Sequence, residues 1–345
     1  MKNKTFLLAV SLLLMAVGCN NTPKPESNPD LKPNTSALLA DYDMVIMEAG
    51  QLVFYNNANG ERLPFTAETD SVVNAVYDSH NTLYYSVSRN KALSLKCLKL
   101  AEQDPKPVEL ADWNLTLEDC MTFIYPLENM LLNEDESEVA IQSNPIALYK
   151  IFGDMVVYNT KTKTVTKETE TSFDEETGNL EYDEIEFVAK PIPEIENVLF
   201  EDGENGSLYY VGGSDGRVCL TDKLDFTAMF GKTQEELDDE AVVTLPKLLN
   251  PQGTKVMFCT IIPDGIFTHG PYNVANLDGS NQCTLKTDIE FGMPTWLKDG
   301  SLVFVRFDGG PDDDYALEKL HLSIMNPDGA IKDLSASMNY AVKPF

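Results

Sequence analysis

The residues best equipped for chemistry in this chain are few and scattered. Gly212-Gly213-Ser214-Asp215-Gly216 matches the Gly-x-Ser-x-Gly pattern of a serine nucleophile. That pattern works on a sharp strand-to-helix turn, with an acid and a histidine following in the chain. Here it lies between two strand-like runs, Leu208–Val211 and Arg217–Leu220, so it reads as a glycine-rich hairpin turn and no catalytic residue is assigned. The 345 residues hold three histidines, His80 in a turn, His269 in the loop Phe267–Pro271 and His321 in a strand-like run. No two share a metal-ligand spacing, and each is read as structural or exposed.

Carboxylates are the remaining chemistry. Asp308, Asp312, Asp313 and Asp314 surround a Gly-Gly-Pro loop and offer hard oxygen ligands of the type calcium takes. They lack the ordered spacing of an EF-hand, so the plainer reading is a solvated acidic loop. Calcium is the one candidate cofactor. A second acidic stretch, about residues 160–190, alternates around Glu176-Thr-Gly-Asn179 and predicts a projecting hairpin. Glu175, Glu176, Tyr182 and Asp183 at its tip are candidate partner contacts; the alternative is a variable solvated loop. Between about 233 and 242, Thr233 and Glu236 are placed as a capping box, which predicts a short helix whose outer face carries Asp238, Asp239 and Glu240.

These groups need positioning by a globular body. Hydrophobic residues make up 43% of the chain and charged ones 23%, enough for a sizeable core. A formal charge of −29 repels phosphate backbones and anionic headgroups, which excludes nucleic acid as a partner. Cys97, Cys120, Cys219, Cys259 and Cys283 form no close pair and no metal-like spacing, and read as small buried hydrophobes.

The body is announced by a recurring phrase, an Asp/Asn/Gly turn followed by a dense apolar strand. It appears as Asp78–Asn81 before Leu83–Ser86, Asn133–Ser137 before Val139–Ile141, and Asp202–Gly206 before Leu208–Val211. It returns as Asn250–Gly253 before Val256–Cys259 and Lys298–Ser301 before Leu302–Val305. Copies fall roughly 45–70 residues apart, the scale of one propeller blade plus insertions. Two units show four short strands each, within 245–285 and 292–334. Near the C-terminus Tyr340–Phe345 looks like the opening strand of a blade whose other strands are Met44–Glu48, Gln51–Tyr55 and Arg62–Phe65. The expectation is an all-β, single β-propeller of about six four-stranded blades over 42–345, closed by pairing of the two ends.

The segments before residue 42 supply an address. Lys2 and Lys4 precede the apolar run Phe6–Val17, which is shorter than the about 20 residues a spanning helix needs. Residues 1–18 are therefore read as an export signal. Small residues directly before Cys19 resemble the lipobox of bacterial lipoproteins, which implies lipidation of Cys19. Residues 19–41, with Pro23, Pro25, Pro29 and Pro33, form the lipidated cysteine and a flexible tether. Asn20 after the cysteine fits the lipoprotein pattern for onward sorting to an outer membrane.

Residues 294–304 and 324–329, Pro-Thr-Trp-Leu-Lys-Asp-Gly-Ser-Leu-Val-Phe and Ile-Met-Asn-Pro-Asp-Gly, resemble the TolB-type repeat, also called the PD40 or WD40-like propeller repeat. The resemblance implies a propeller and leaves function open, because members include protein-binding components, peptidase propellers and glycan-related proteins. The expected function is a non-catalytic cell-envelope lipoprotein binding a protein, peptide or glycan, touching the membrane only through its anchor. The alternative is a propeller hydrolase or lyase acting on a polysaccharide or peptide.

Overall fold

The computed structural model describes residues 38–65, 70–116, 130–142, 155–168, 171–174, 179–182, 187–191, 195, 199–214, 216–264, 267–309 and 317–345. Its strands form six antiparallel sheets in chain order, plus a separate two-stranded hairpin of Thr171–Asp174 and Asn179–Tyr182. Blade 1 is Tyr340–Val342, Met44–Glu48, Gln51–Tyr55 and Arg62–Phe65, in that order across the sheet. Blade 2 is Ser71–Tyr77, Thr82–Arg89, Ala92–Lys99 and Val108–Thr116. Blade 3 is Met130–Leu132, Glu138–Gln142, Met155–Asn159 and Thr164–Glu168. Blade 4 has Phe200–Asp202, Leu208–Tyr210 and Val218–Cys219. Blade 5 is Val243–Leu249, Lys255–Asp264, Tyr272–Asn276 and Cys283–Thr284, with Phe267–His269 added to its long second strand. Blade 6 is Thr295–Trp296, Leu302–Phe307, Leu320–Met325 and Ile331–Ser335.

This is an all-β, six-bladed propeller closed by its termini. Met44 faces Val342, Val45 faces Ala341 and Ile46 faces Tyr340, so the last strand completes the first blade. Packing follows the ring. One apolar cluster joins blades 1 and 2 through Phe54, Leu52, Leu83 and Tyr85. Further clusters join blades 2 and 3 through Trp113 and Ile141, blades 4 and 5 through Leu208 and Phe258, and blades 5 and 6 through Met257 and Phe304. Blades 6 and 1 meet through Ile324, Val303, Met44 and Ile46. Each strand of a sandwiched blade must bury both faces, which is why these runs read as nearly continuous Val, Ile, Leu, Phe and Met.

Two details correct the sequence reading. Among the described residues, blade 4 has three strands and blade 5 five. After Val218–Cys219 the chain turns into two short helices, Phe226–Phe230 and Gln234–Asp238, in place of a fourth strand. Asp225 caps the first by accepting from the Ala228 amide at 3.0 Å, and Gly231 ends it in the left-handed region. Thr233 and Glu236 form a capping box on the second, which buries Leu237. His269 is also a strand residue, opposite Ile262, because the second strand of blade 5 outruns its neighbours and recruits a partner. Among the described residues, no helix is long and apolar enough to cross a membrane.

Candidate functional site

In an antiparallel four-stranded blade, the first and third turns leave at one end and the second turn and the link to the next blade leave at the other. For blades 1, 2, 3, 5 and 6 this sorts the chain into two ends of different character. At one end sit the turns of the repeated phrase, short and polar, together with the longer link Leu100–Pro107 of blade 2. At the other lie the links that leave the strands ending at Thr116, Gln142 and Phe307 and lead to the next described strands, which begin at Met130, Met155 and Leu320. Insertions collected at one end are the usual mark of a binding face in repeat architectures.

The short-turn end is built by side chains that bond their own backbone. Asp78 Oδ1 accepts from the amides of His80 and Thr82 at 2.8 and 2.7 Å. Asn250 accepts from Thr254 and Lys255, both at 2.8 Å, and Asp299 from Ser301 at 2.9 Å. This is the physical content of the repeated phrase: a short Asx side chain replaces a backbone partner and sets the turn. Gly300, at φ +86°, supplies the left-handed residue, and a Cβ there would also lie 2.7 Å from Gln252 Oε1. Asp278 and Asp135 accept from the hydroxyls of Ser280 and Ser137, and this holds both carboxyls below the usual range.

The same turns tie neighbouring blades together. Asn57 of blade 1 donates to Asp299 at 2.7 Å and to Ser301 at 2.9 Å in blade 6. Gln252 of blade 5 donates to the Lys298 carbonyl of blade 6 at 2.9 Å, and Gln282 reaches Asp222 beside blade 4 at 2.5 Å. Blades 2 and 3 meet at Glu136, whose side chain is 7% exposed. It accepts from the Ser79 amide at 3.0 Å, the Ser79 hydroxyl at 2.6 Å and the Lys190 ammonium at 2.5 Å. His80 Nδ1 lies 3.4 Å from the same carboxylate. Burial alone would raise the Glu136 pKa; the Lys190 and Ser79 donors outweigh it and hold the group at about 2. Lys190 arrives on a segment that also pairs Ala189 with Asn133 and packs Phe187 against Ala140 and Val157 of blade 3.

The sequence-derived candidates fare unevenly. Asp308 sits at the root of the acidic loop, and Arg306 grips it at 2.6 Å, with His321 Nε2 3.6 Å away. Asp333 pairs the other side of Arg306 at 2.9 Å and accepts from Ser323 at 2.7 Å. The guanidinium holds the Asp308 carboxyl below its ordinary range, so the positive charge beside this carboxylate comes from the protein itself. Asp312, Asp313 and Asp314 lie outside the described residues, as do Cys19, Glu175, Glu176 and Asp183. Tyr182 ends the second strand of the two-stranded hairpin, opposite Thr171. Ser214 lies in the connection between Leu208–Tyr210 and Val218–Cys219, which pair with each other, so the next element after it is a strand and not a helix. Cys97 and Cys259 are buried and Cys219 and Cys283 half-buried, all as free thiols.

Sequence reasoning missed the convergence of Asp78, His80 and Glu136, because Glu136 comes from the next copy of the repeat. The signal was present in the phrase itself: equivalent turns of adjacent blades stand side by side, so polar residues in corresponding positions meet.

No family model matches the chain, and no curated protein matches it. Among solved structures it is similar to the β-propeller domain of the Trilobed protease from Pyrococcus furiosus, at 13% identity and TM-score 0.28 over 83% of this chain and 74% of that one. It is also similar to a protein of Listeria monocytogenes EGD-e, at 9% identity and TM-score 0.29 over 88% and 82%. A protein from Lactobacillus plantarum aligns at 10% identity and TM-score 0.27 over 85% and 80%. Identity and superposition are both low, and the propeller assignment stands on strand order and terminal pairing.

Proposed function

We propose that this chain is a non-catalytic envelope lipoprotein, a TolB-type repeat propeller held on the outer membrane through Cys19. It binds a protein, peptide or glycan partner at the end of the ring where the longer connections emerge. The observation that carries the reading is the asymmetry between the two ends. At the short-turn end the polar side chains are spent on their own turns and on neighbouring blades, as in the Asn57–Asp299 and Glu136–Ser79 bonds. The opposite end holds the connections a scaffold can vary without disturbing its core.

A photo-crosslinking side chain separates the two ends. Lys91 and Glu318 belong to connections of the insertion end, whereas Asn59 and Asp328 belong to short turns, and all four are exposed. Crosslinks to a partner in intact envelopes are expected from Lys91 and Glu318 and not from the other pair. Crosslinks from Asn59 or Asp328 alone contradict the assignment. Fatty-acid labelling should mark the wild type and fail on Cys19→Ser; equal labelling refutes the anchor.

A further inference from the structure

Where the turns Asp78–Asn81 and Asn133–Ser137 meet, one nitrogen ligand and two carboxylates converge from two blades. The ligand atoms of Asp78, His80 and Glu136 all lie within 4.8 Å of one another. We propose that they form a binding site for a divalent transition-metal ion, for which zinc is the best fit.

Zinc bonds to imidazole nitrogen and carboxylate oxygen at about 2.0–2.2 Å, so neighbouring ligands on a tetrahedral ion stand about 3.3–3.5 Å apart. His80 Nδ1 and Glu136 Oε2 are 3.4 Å apart. A mixed set of one imidazole and two carboxylates suits zinc, whereas calcium and magnesium take all-oxygen cages. Both carboxylates are already oriented. Asp78 is fixed through Oδ1 by two backbone amides; Glu136 is fixed through Oε1 by Lys190 and through Oε2 by the Ser79 amide at 3.0 Å, and Oε2 faces His80. Such outer partners are what turn a ligand toward a metal. His80 is 80% exposed, so its ring can swing to meet an ion, and solvent can supply the fourth ligand.

Two neighbours tune the site. The Ser79 hydroxyl donates to Glu136 Oε2 at 2.6 Å and stands 3.2 Å from His80 Nδ1. On loading, it turns its hydrogen away from Oε2. The Lys190 ammonium repels an incoming cation, which makes the site weaker than a closed structural zinc site. An ion bound there cross-links blades 2 and 3, so metal binding and ring stability are linked.

The test is calorimetric titration of the chelator-treated full chain with zinc chloride, followed by melting curves with and without the ion. One ion per chain is expected, with a zinc-dependent rise in melting temperature. His80→Ala, an exposed substitution that leaves the fold intact, should weaken binding by about tenfold or more and remove the rise. His321→Ala, in blade 6, should keep both. Absence of stoichiometric binding in the wild type, or equal binding in His80→Ala, overturns the proposal.

Discussion

The seam between blades 6, 1 and 2 and the region of blade 4 solve the same problem in opposite ways. At the seam, Met44–Glu48 and Gln51–Tyr55 bury almost every side chain, and Met44, Ile46, Leu52 and Phe54 are fully buried. Blade 4 has strands of three, three and two residues, and two five-residue helices stand in for its last strand. Lys232 and Glu240, 2.8 Å apart, bracket the second helix across the exposed side. The difference teaches where stability is stored. Regular blades hold it in apolar area, while blade 4 relies on caps and turns that each contribute about a kilocalorie per mole.

Breaking the seam should have the largest effect. Deleting residues 340–345 removes the inner strand of blade 1 and exposes the edge of Met44–Glu48, an unpaired template for association. Loss of about 4 kcal/mol or more is expected, with concentration-dependent aggregation, read by chemical unfolding and light scattering. Phe54→Ala, within the seam, should cost about 3–5 kcal/mol. Leu237→Ala, under the helix beside blade 4, should cost about 2 kcal/mol, because one residue on a short helix has room to collapse. If Leu237→Ala proves as severe as Phe54→Ala, the contrast between the regions fails.

The polar clasp between blades 2 and 3 should be intermediate and pH-dependent. Glu136→Gln gives up charge-assisted bonds from Lys190 and Ser79 and should cost about 1–3 kcal/mol near neutral pH. Because the folded pKa of Glu136 lies at about 2, below its unfolded value, its contribution is fully present above about pH 4.5. It is lost as pH falls from there toward 2. The stability gap between wild type and Glu136→Gln should therefore narrow over that window and stay flat above it. A gap that widens on acidification contradicts the assignment of Lys190 and Ser79 as the groups that lower the pKa. The smallest effect is expected at Ser214, where replacement by Ala in a surface turn should change stability by within about 0.5 kcal/mol.

Much of the ring was legible because each blade repeats two local signals, an Asx or glycine turn and an apolar strand of period-independent burial. Leu302–Phe307, Leu320–Met325 and Tyr340–Val342 fall where those signals place them. Blade 4 was less legible because its strands are too short to show a pattern, and Asp225 and Thr233 start helices where a fourth strand was due. The Asp78–His80–Glu136 convergence was missed for a different reason. Glu136 stands more than fifty positions from Asp78 and His80, and the lateral packing of equivalent turns brings it to them. Asp308 was singled out by composition, yet its partner Arg306 lies two residues earlier, on the strand that ends just before it, and could have been read as its counter-ion.

The central claim is that the last strand completes the first blade in a fixed register, and a disulfide tests it directly. The Met47 amide donates to the Asn339 carbonyl and the Lys343 amide to the Asp43 carbonyl. Odd-numbered residues of Met44–Glu48 therefore sit in hydrogen-bonded pairs, and Met44 and Val342 face each other as a non-hydrogen-bonded pair. Cα atoms in such pairs approach to about 4.5 Å, within the range a disulfide spans. Met44→Cys combined with Val342→Cys should oxidise to an intramolecular bond between those two positions, identified by peptide mass, and should raise the melting temperature. Failure to form that bond, or its appearance only between chains, contradicts the closed ring.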